Sequence, residues 1–269
     1  MKLGIMTSSD LRDAALEAYS YLAKGISSSF PNAVFMHDED TDIVWTGNNF
    51  VILNGAFWLS QPKSLAELEH TLKYVESQFR ELDKGTGGIV VWEAGTLLEN
   101  GVSKKAIGEV AAKYDIKARF SATMAREGGL FDNVDLRGLE VKKNETDKEI
   151  GQLFRIHFPN DLTDWSYPAE FWKSLNSYSG YVDGKLVTTA TTHVYKGNVF
   201  LSCVGTDPDY RNRGYGTAIS KYALQQSLEE SGSKISFLHA SEMGRPLYEK
   251  LGFKEIGTGM MNVYNKTSP

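Results

Sequence analysis

Cysteine is nearly absent: Cys203 stands alone among 269 residues, so no internal disulfide can brace the fold. A secretory signal is missing too, because the apolar residues at 1–6 are too few before the polar run Thr7, Ser8, Ser9, Asp10. Both absences lead to the expectation of a cytoplasmic protein. Positive charge is in short supply, and a net charge of −5 excludes a general nucleic-acid binder while leaving room for a local basic site. The stretch 43–62 carries no charge, yet Gly47, Asn48, Asn49, Asn54, Gly55 and Gln61 would be costly in lipid. Two buried strands around a turn fit it better, so no membrane partner is expected. Low-complexity tracts are lacking, which excludes a largely disordered chain, and without secretion the sequons at Asn144 and Asn265 mean little.

What the chain does have is an apolar content of 41% and an aromatic content of 12%, enough for packed cores. Its length suits two domains of roughly 100–150 residues each. No metal centre is expected. His37, Asp38, Glu39 and Asp40 have ligand residue types, but consecutive loop residues do not converge on one ion, and a solvated loop is the better reading.

Ser9 and Asp10 cap a first amphipathic helix with Leu11, Ala14, Ala15, Ala18 and Leu22 on one face, stopped at Gly25. Strands at 42–45 and 50–53 flank a hairpin turn. Ser64 and Glu67 form a capping box for a long amphipathic helix carried by Leu65, Leu68, Leu72, Val75, Phe79 and Leu82, ending at Gly85. The glycines at 85–88 follow a helix and open the strand 89–92, the reverse of a nucleotide loop, so they read as a connector. Ser103 starts another helix, and 118–124 returns as a strand. Gly128, Gly129 and the polar run 132–135 mark a junction that divides the chain into domains 1–136 and 137–269. Beyond it come a strand at 139–142, a capping box at Thr146 and Glu149 opening a helix to His157, and a short aromatic helix after Pro168. Strands 178–182 and 186–195 enclose the hairpin signal Asp183-Gly184.

The second half is organised around 204–217, where the strand 199–206 meets a basic glycine turn and a helix running to about Glu230. Glycine permits positive φ and leaves backbone N–H groups uncovered. At a helix N-terminus those donors and the dipole favour an anion, to which Arg211 and Arg213 add full charges. A strand at 235–239 follows. A helix led by Pro246 then carries Leu247, Tyr248 and Leu251 and stops at Gly252, before a last strand or strand pair over 253–264.

These residues carry a family resemblance. Arg211-Asn212-Arg213-Gly214-Tyr215-Gly216 is similar to the acyl-CoA pattern of the GCN5-related N-acetyltransferase (GNAT) superfamily, and Leu247-Tyr248-Glu249-Lys250-Leu251-Gly252-Phe253 to its closing block. The resemblance implies an α+β fold with a mixed, mostly antiparallel sheet flanked by helices. The first half resembles the degenerate N-terminal part of proteins with two such domains in tandem, through Asn54-Gly55-Ala56-Phe57, the helix from Ser64, the strand 89–92 and Ala122-Thr123-Met124. It has no Arg-x-x-Gly-x-Gly equivalent, which implies a supporting role rather than a second active site.

The resemblance further implies an acetyl-CoA-dependent N-acetyltransferase, acting on a primary amine of a small molecule or peptide by direct attack in a ternary complex. Backbone and side chains of Arg211, Asn212, Arg213, Gly214, Tyr215, Gly216 and Thr217 would hold the CoA pyrophosphate. Val204 and Thr206 would pair with the pantetheine arm, and the Val204 N–H would polarise the thioester carbonyl. Tyr248 would protonate the departing thiolate; read without the family it is a core tyrosine packed by Leu247 and Leu251. The base stays open, with His193, His239 and Glu242 each more readily structural or solvent-exposed. Cys203 suits a small core residue better than a nucleophile. Trp165, Tyr167, Phe171 and Trp172 either line the acceptor pocket or pack against the first half. A non-catalytic acyl-CoA-binding module with the same fold is the alternative, and either a monomer or a homodimer is compatible with the sequence.

Overall fold

The computed structural model describes residues 7–28, 30–47, 54–83, 87–145, 152 and 175–264. The expected strand at 50–53, the capping box at 146–149 with its helix, and the aromatic segment holding Trp165, Tyr167, Phe171 and Trp172 lie outside them. The fold is α+β, with mostly antiparallel sheet flanked by helices. By compactness the chain divides into Met1–Thr123 with Glu255–Pro269 and, separately, Met124–Lys254.

In the first unit, helix α1 (Ser8–Ser27) is followed by strands β1 (Val34–Asp38), β2 (Thr41–Trp45) and β3 (Asn54–Trp58), helix α2 (Leu65–Leu82), and strand β4 (Gly88–Glu93). The short helix α3 (Gly95–Glu99), helix α4 (Lys104–Ala112) and strands β5 (Ile116–Lys117) and β6 (Phe120–Glu127) come next. Strand β6 runs from the first unit into the second. The sheet order is β1-β2-β3-β4 and then β12 (Lys254–Tyr264), the last strand of the chain. Pairing is antiparallel except between β3 and β4. Side chains alternate along β2. Ile43 and Trp45 join a core with Leu68, Leu72, Val75 and Phe79 of α2 and Ile107 and Val110 of α4, while Val44 packs with Leu16 and Ala23 of α1.

Local differences from the expected elements have clear causes. The cap of α1 is Thr7, whose hydroxyl accepts from the Asp10 N–H at 3.2 Å while the Asp10 carboxylate accepts from the Thr7 N–H at 2.8 Å. The acidic run ends a strand instead of forming a loop: β1 reaches Asp38, and Glu39, at φ 49°, turns the chain into β2. At α2 the Ser64 half of the box forms as expected, its Oγ accepting from the Glu67 N–H at 3.2 Å, while the Glu67 carboxylate accepts from the Lys63 N–H at 2.8 Å, one residue before the cap.

The second unit continues with β7 (Glu140–Lys143), β8 (Asn176–Val182), β9 (Lys185–Tyr195), β10 (Asn198–Thr206), helix α5 (Tyr215–Ser231), strand β11 (Ile235–Ala240) and helix α6 (Arg245–Lys250). Its strands lie in the order β11-β10-β9-β8-β7, antiparallel apart from β10 beside β11. Asp183 at φ 50° and Gly184 at φ 75° make the tight β8–β9 turn, and Lys196 and Gly197 repeat that geometry between β9 and β10. Helix α5 packs across β8, β9 and β10, with Ala218 meeting Val187 and Leu139. The expected boundary at 136 and the division by compactness differ in two places, at 124–136, which falls in the second unit, and at the C-terminus. There β12 pairs Gly259 to Tyr264 with Glu93 to Gly88 of β4, so the last strand completes the first unit's sheet.

Candidate active site

A break in strand β10 opens the site. Its pairing with β9 shifts register between Ser202 and Gly205, leaving Cys203 and Val204 without partners there. Cys203 adopts φ 50°, a left-handed conformation that a side-chain-bearing residue holds only when its surroundings require it. On its other edge β10 pairs with β11 only at Val199–Ser236 and Phe200–Phe237, although β10 runs on to Thr206 and β11 to Ala240. The strands therefore diverge past Phe200, and the second half of β10 is half-exposed where the first half is buried. The backbone groups of 201–206 that point away from β9 face the gap and can accept an extended ligand as an added strand.

Strand β10 leads into the cradle. Thr188 of β9 donates to the Gly205 carbonyl at 2.7 Å and lies 3.1 Å from the Thr206 hydroxyl, fixing the strand end. A single 3-10 turn, Pro208–Tyr210, is capped by the Asp207 carboxylate, which accepts from the Asp209 N–H at 3.0 Å and pairs with Lys185 at 3.2 Å. Arg211 Nε donates to the Thr206 carbonyl at 3.2 Å, and Arg213 donates to the Asp209 carbonyl at 3.0 Å while lying over the Tyr210 ring. The two motif arginines thus brace the turn they follow. Asn212 at φ 60° and Gly214 at φ 85° reverse the chain onto α5.

The start of α5 has no side-chain cap. Its first helical bond runs from the Ala218 N–H to the Gly214 carbonyl at 3.0 Å, so the N–H groups of Tyr215, Gly216 and Thr217 have no carbonyl behind them in the helix. A Cβ at Gly216 would stand 3.0 Å from Leu247 Cδ1 and 3.1 Å from Thr206 Oγ1. Glycine here lets the first turn of α5 close onto the end of β10 and onto α6. The same point in the first unit is built differently. Helix α2 also connects parallel strands, but Ser64 caps the Glu67 N–H, and the Glu67 carboxylate in its first turn repels a phosphate.

Tyr248 is buried in α6, with its ring 6.1 Å from that of Phe253. Burial pushes its phenol well above the ordinary tyrosine value, and the neighbouring Cys203 sulfur adds in the same direction. It holds its proton at neutral pH, as an acid must. Burial likewise raises the Cys203 thiol to about 11, partly offset by a hydrogen bond with Ser202, which keeps it a neutral thiol and a poor nucleophile. His193 and His239 flank Phe200 at 5.0 and 6.0 Å between ring centroids. His239 is held neutral, its pKa lowered by burial to about 4, whereas Glu242 is exposed in the loop after β11.

Val204, Thr206, Arg211, Asn212, Arg213, Gly214, Tyr215, Gly216 and Thr217 therefore lie along one strand–turn–helix path, with Tyr248 beside the bulge. Nothing in the sequence marks the left-handed Cys203 or the role of Thr188, since neither residue type signals such a position. The donor-rich turn, a glycine where a Cβ would crowd two neighbours, and a half-open strand edge fit a phosphorylated, extended ligand of the CoA type.

Residues 175–255 match the family model "Acetyltransferase (GNAT) domain". A UPF0039 protein of Schizosaccharomyces pombe is 39% identical over 75 residues, 27% of this chain, which spans about half the length of that curated relative. Among solved structures, a GCN5-related N-acetyltransferase from Kribbella flavida aligns over 94% of this chain and 96% of its own, with 16% identity and a TM-score of 0.62. Another from Sphaerobacter thermophilus covers 97% and 94% at 12% identity, with a TM-score of 0.53. At such identities these two structures speak for the fold alone, and the α+β architecture described above is the one they share. The chain carries a GNAT acetyltransferase domain over residues 175–255.

Proposed function

We propose that the protein is an acetyl-CoA-dependent N-acetyltransferase that acylates a primary amine of a small molecule or peptide within a ternary complex. The observation that carries this reading is the bulge at Cys203–Val204 between a diverging strand edge and the uncapped N-terminus of α5. Acetyl-CoA would supply the activated acyl group as a thioester. The N–H groups at 215–217 hold its phosphates, and the open edge of β10 orients the pantetheine arm. Val204, released from the β9 ladder by the bulge, presents its N–H to the acyl carbonyl. Tyr248, neutral and close to the bulge, delivers a proton to the thiolate side. Holding both reactants in one cleft supplies several kcal/mol of the barrier, on the order of what positioning gives in general. The first unit acts as a support without a CoA site of its own, in a tandem arrangement.

A thiol-release assay against a panel of primary amines, run beside a CoA-binding measurement, tests the reading. Turnover on at least one amine is expected, with Tyr248→Phe lowering kcat while CoA affinity stays close to wild type. CoA binding without turnover on any acceptor would leave a binding module in place of an enzyme. Failure to bind CoA would remove the cradle assignment.

A further inference from the structure

The connection between β6 and β7 ends against the cradle. It first turns at Gly128, whose N–H donates to the Lys234 carbonyl just past α5, while Arg126 donates to the carbonyls of Gly128 and Gly129 at 2.8 and 2.9 Å. Phe131 then sits between Arg126, at 4.0 Å, and Lys221 of α5, at 5.1 Å, and its N–H donates to Gln225 Oε1 at 2.8 Å. Leu136 and Leu139 pack with Ala218 and Tyr215. The contacts thus read α5 backwards, from beyond its C-terminus to its first turn, and the segment is pinned along the helix.

This course delivers Arg137 to the helix start. Its guanidinium stands against Gly214, where a Cβ would be 3.5 Å from Nε and 3.6 Å from Cζ. Arg137 and Gly138 are both left-handed, at φ 56° and 77°, and the turn is closed by the Leu139 N–H donating to the Leu136 carbonyl. Anchors on both sides, Leu136 and Leu139, hold it there. The motif arginines spend hydrogen bonds on carbonyls of their own turn, whereas Arg137 is the guanidinium set directly against the turning glycine. Among the described residues its ion-pair partner is Asp135, with Nε 3.2 Å from Oδ2, and both side chains are exposed.

We propose that Arg137 is a phosphate-binding residue of this cradle, supplied by the inter-strand connection instead of the glycine motif, and that Asp135 competes with the ligand for it. The inference rests on the reading of the α5 N-terminus as a CoA phosphate site. The phosphoryl group engaged is either the diphosphate or the 3′-phosphate of CoA. Titration of wild type, Arg137→Ala, Arg137→Lys and Asp135→Asn with CoA and with 3′-dephospho-CoA, at low and high salt, tests it. Arg137→Ala is expected to raise the Kd for CoA about tenfold at low salt and by less at high salt, as for an exposed charge-assisted contact. Arg137→Lys should recover part of the loss, and Asp135→Asn should lower the Kd. An equal loss with 3′-dephospho-CoA assigns the diphosphate, and a loss confined to CoA assigns the 3′-phosphate. An unchanged Kd in Arg137→Ala overturns the proposal, as does equal weakening by Arg137→Ala and Asp135→Asn, which marks a merely structural pair. Wild type that binds no CoA would instead overturn the cradle reading itself.

Discussion

Gly214 concentrates the demands of the cradle in one residue. At φ 85° any side chain is strained, while the space beside it admits a Cβ at ordinary contact distance from Arg137. Gly214→Ala should therefore cost about 1 kcal/mol of stability through backbone strain and weaken CoA binding by tilting the N–H groups behind it. Denaturant unfolding and a binding titration read the two effects separately. His239 makes a different prediction, about acid. Its folded pKa of about 4 lies below the ordinary value of 6.5, so above pH 6.5 neither state is protonated and the residue costs nothing. As pH falls from 6.5 to 4 the unfolded chain takes up a proton that the folded chain refuses, and stability is lost by at most about 3 kcal/mol. His239→Phe should flatten the unfolding free energy across that window; an unaltered acid limb would rule out this residue as its source.

At the level of elements, the first unit is tied where β4, α3 and β12 meet. Glu93 ends β4 fully buried, accepting from the N–H groups of Gly95 at 2.9 Å and Thr258 at 2.6 Å and from the Thr123 hydroxyl at 2.6 Å. Burial raises its carboxyl pKa, against those donors and the nearby Arg12, which also pairs with Glu99 at 2.8 Å. Arg12→Ala leaves that acid without its cation and should cost about 3 kcal/mol at neutral pH. The defect should shrink as pH falls, because Glu93 can then take a proton inside the fold; unfolding curves at two pH values check the slope.

Elements with local signals were legible in the sequence. The Ser64 box, the Ser103 cap and the Asp183-Gly184 turn each use a side chain or glycine within a few residues, so spacing alone reveals them. Strand β1 was hidden because Val34, Phe35 and Met36 show no apolar–polar alternation before the polar His37 and Asp38, and α3 because five residues are too few for a period. In the site, the glycine turn was visible but the bulge was not. The bulge arises from how β9 and β10 pair, a relation between segments that a single stretch of sequence does not display.

For the whole molecule, the placement of β12 makes its own prediction. A chain ended at Phe253 lacks the antiparallel partner of β4 and β5 but keeps β7 to β11 and α5. Amide exchange in such a chain should lose protection across β4 while β9 stays protected; equal loss in both would show that the units do not fold with this independence.

That same strand sets an order in time. The first unit is translated first, yet its sheet waits for residues that follow the entire second unit, Met124–Lys254. At a ribosomal pace of about 5–20 residues per second, the gap is on the order of ten seconds. During synthesis the edge of β4 is exposed until the last strand emerges, so the earlier-made half is the later to finish, and it is the half a nascent-chain chaperone has reason to guard.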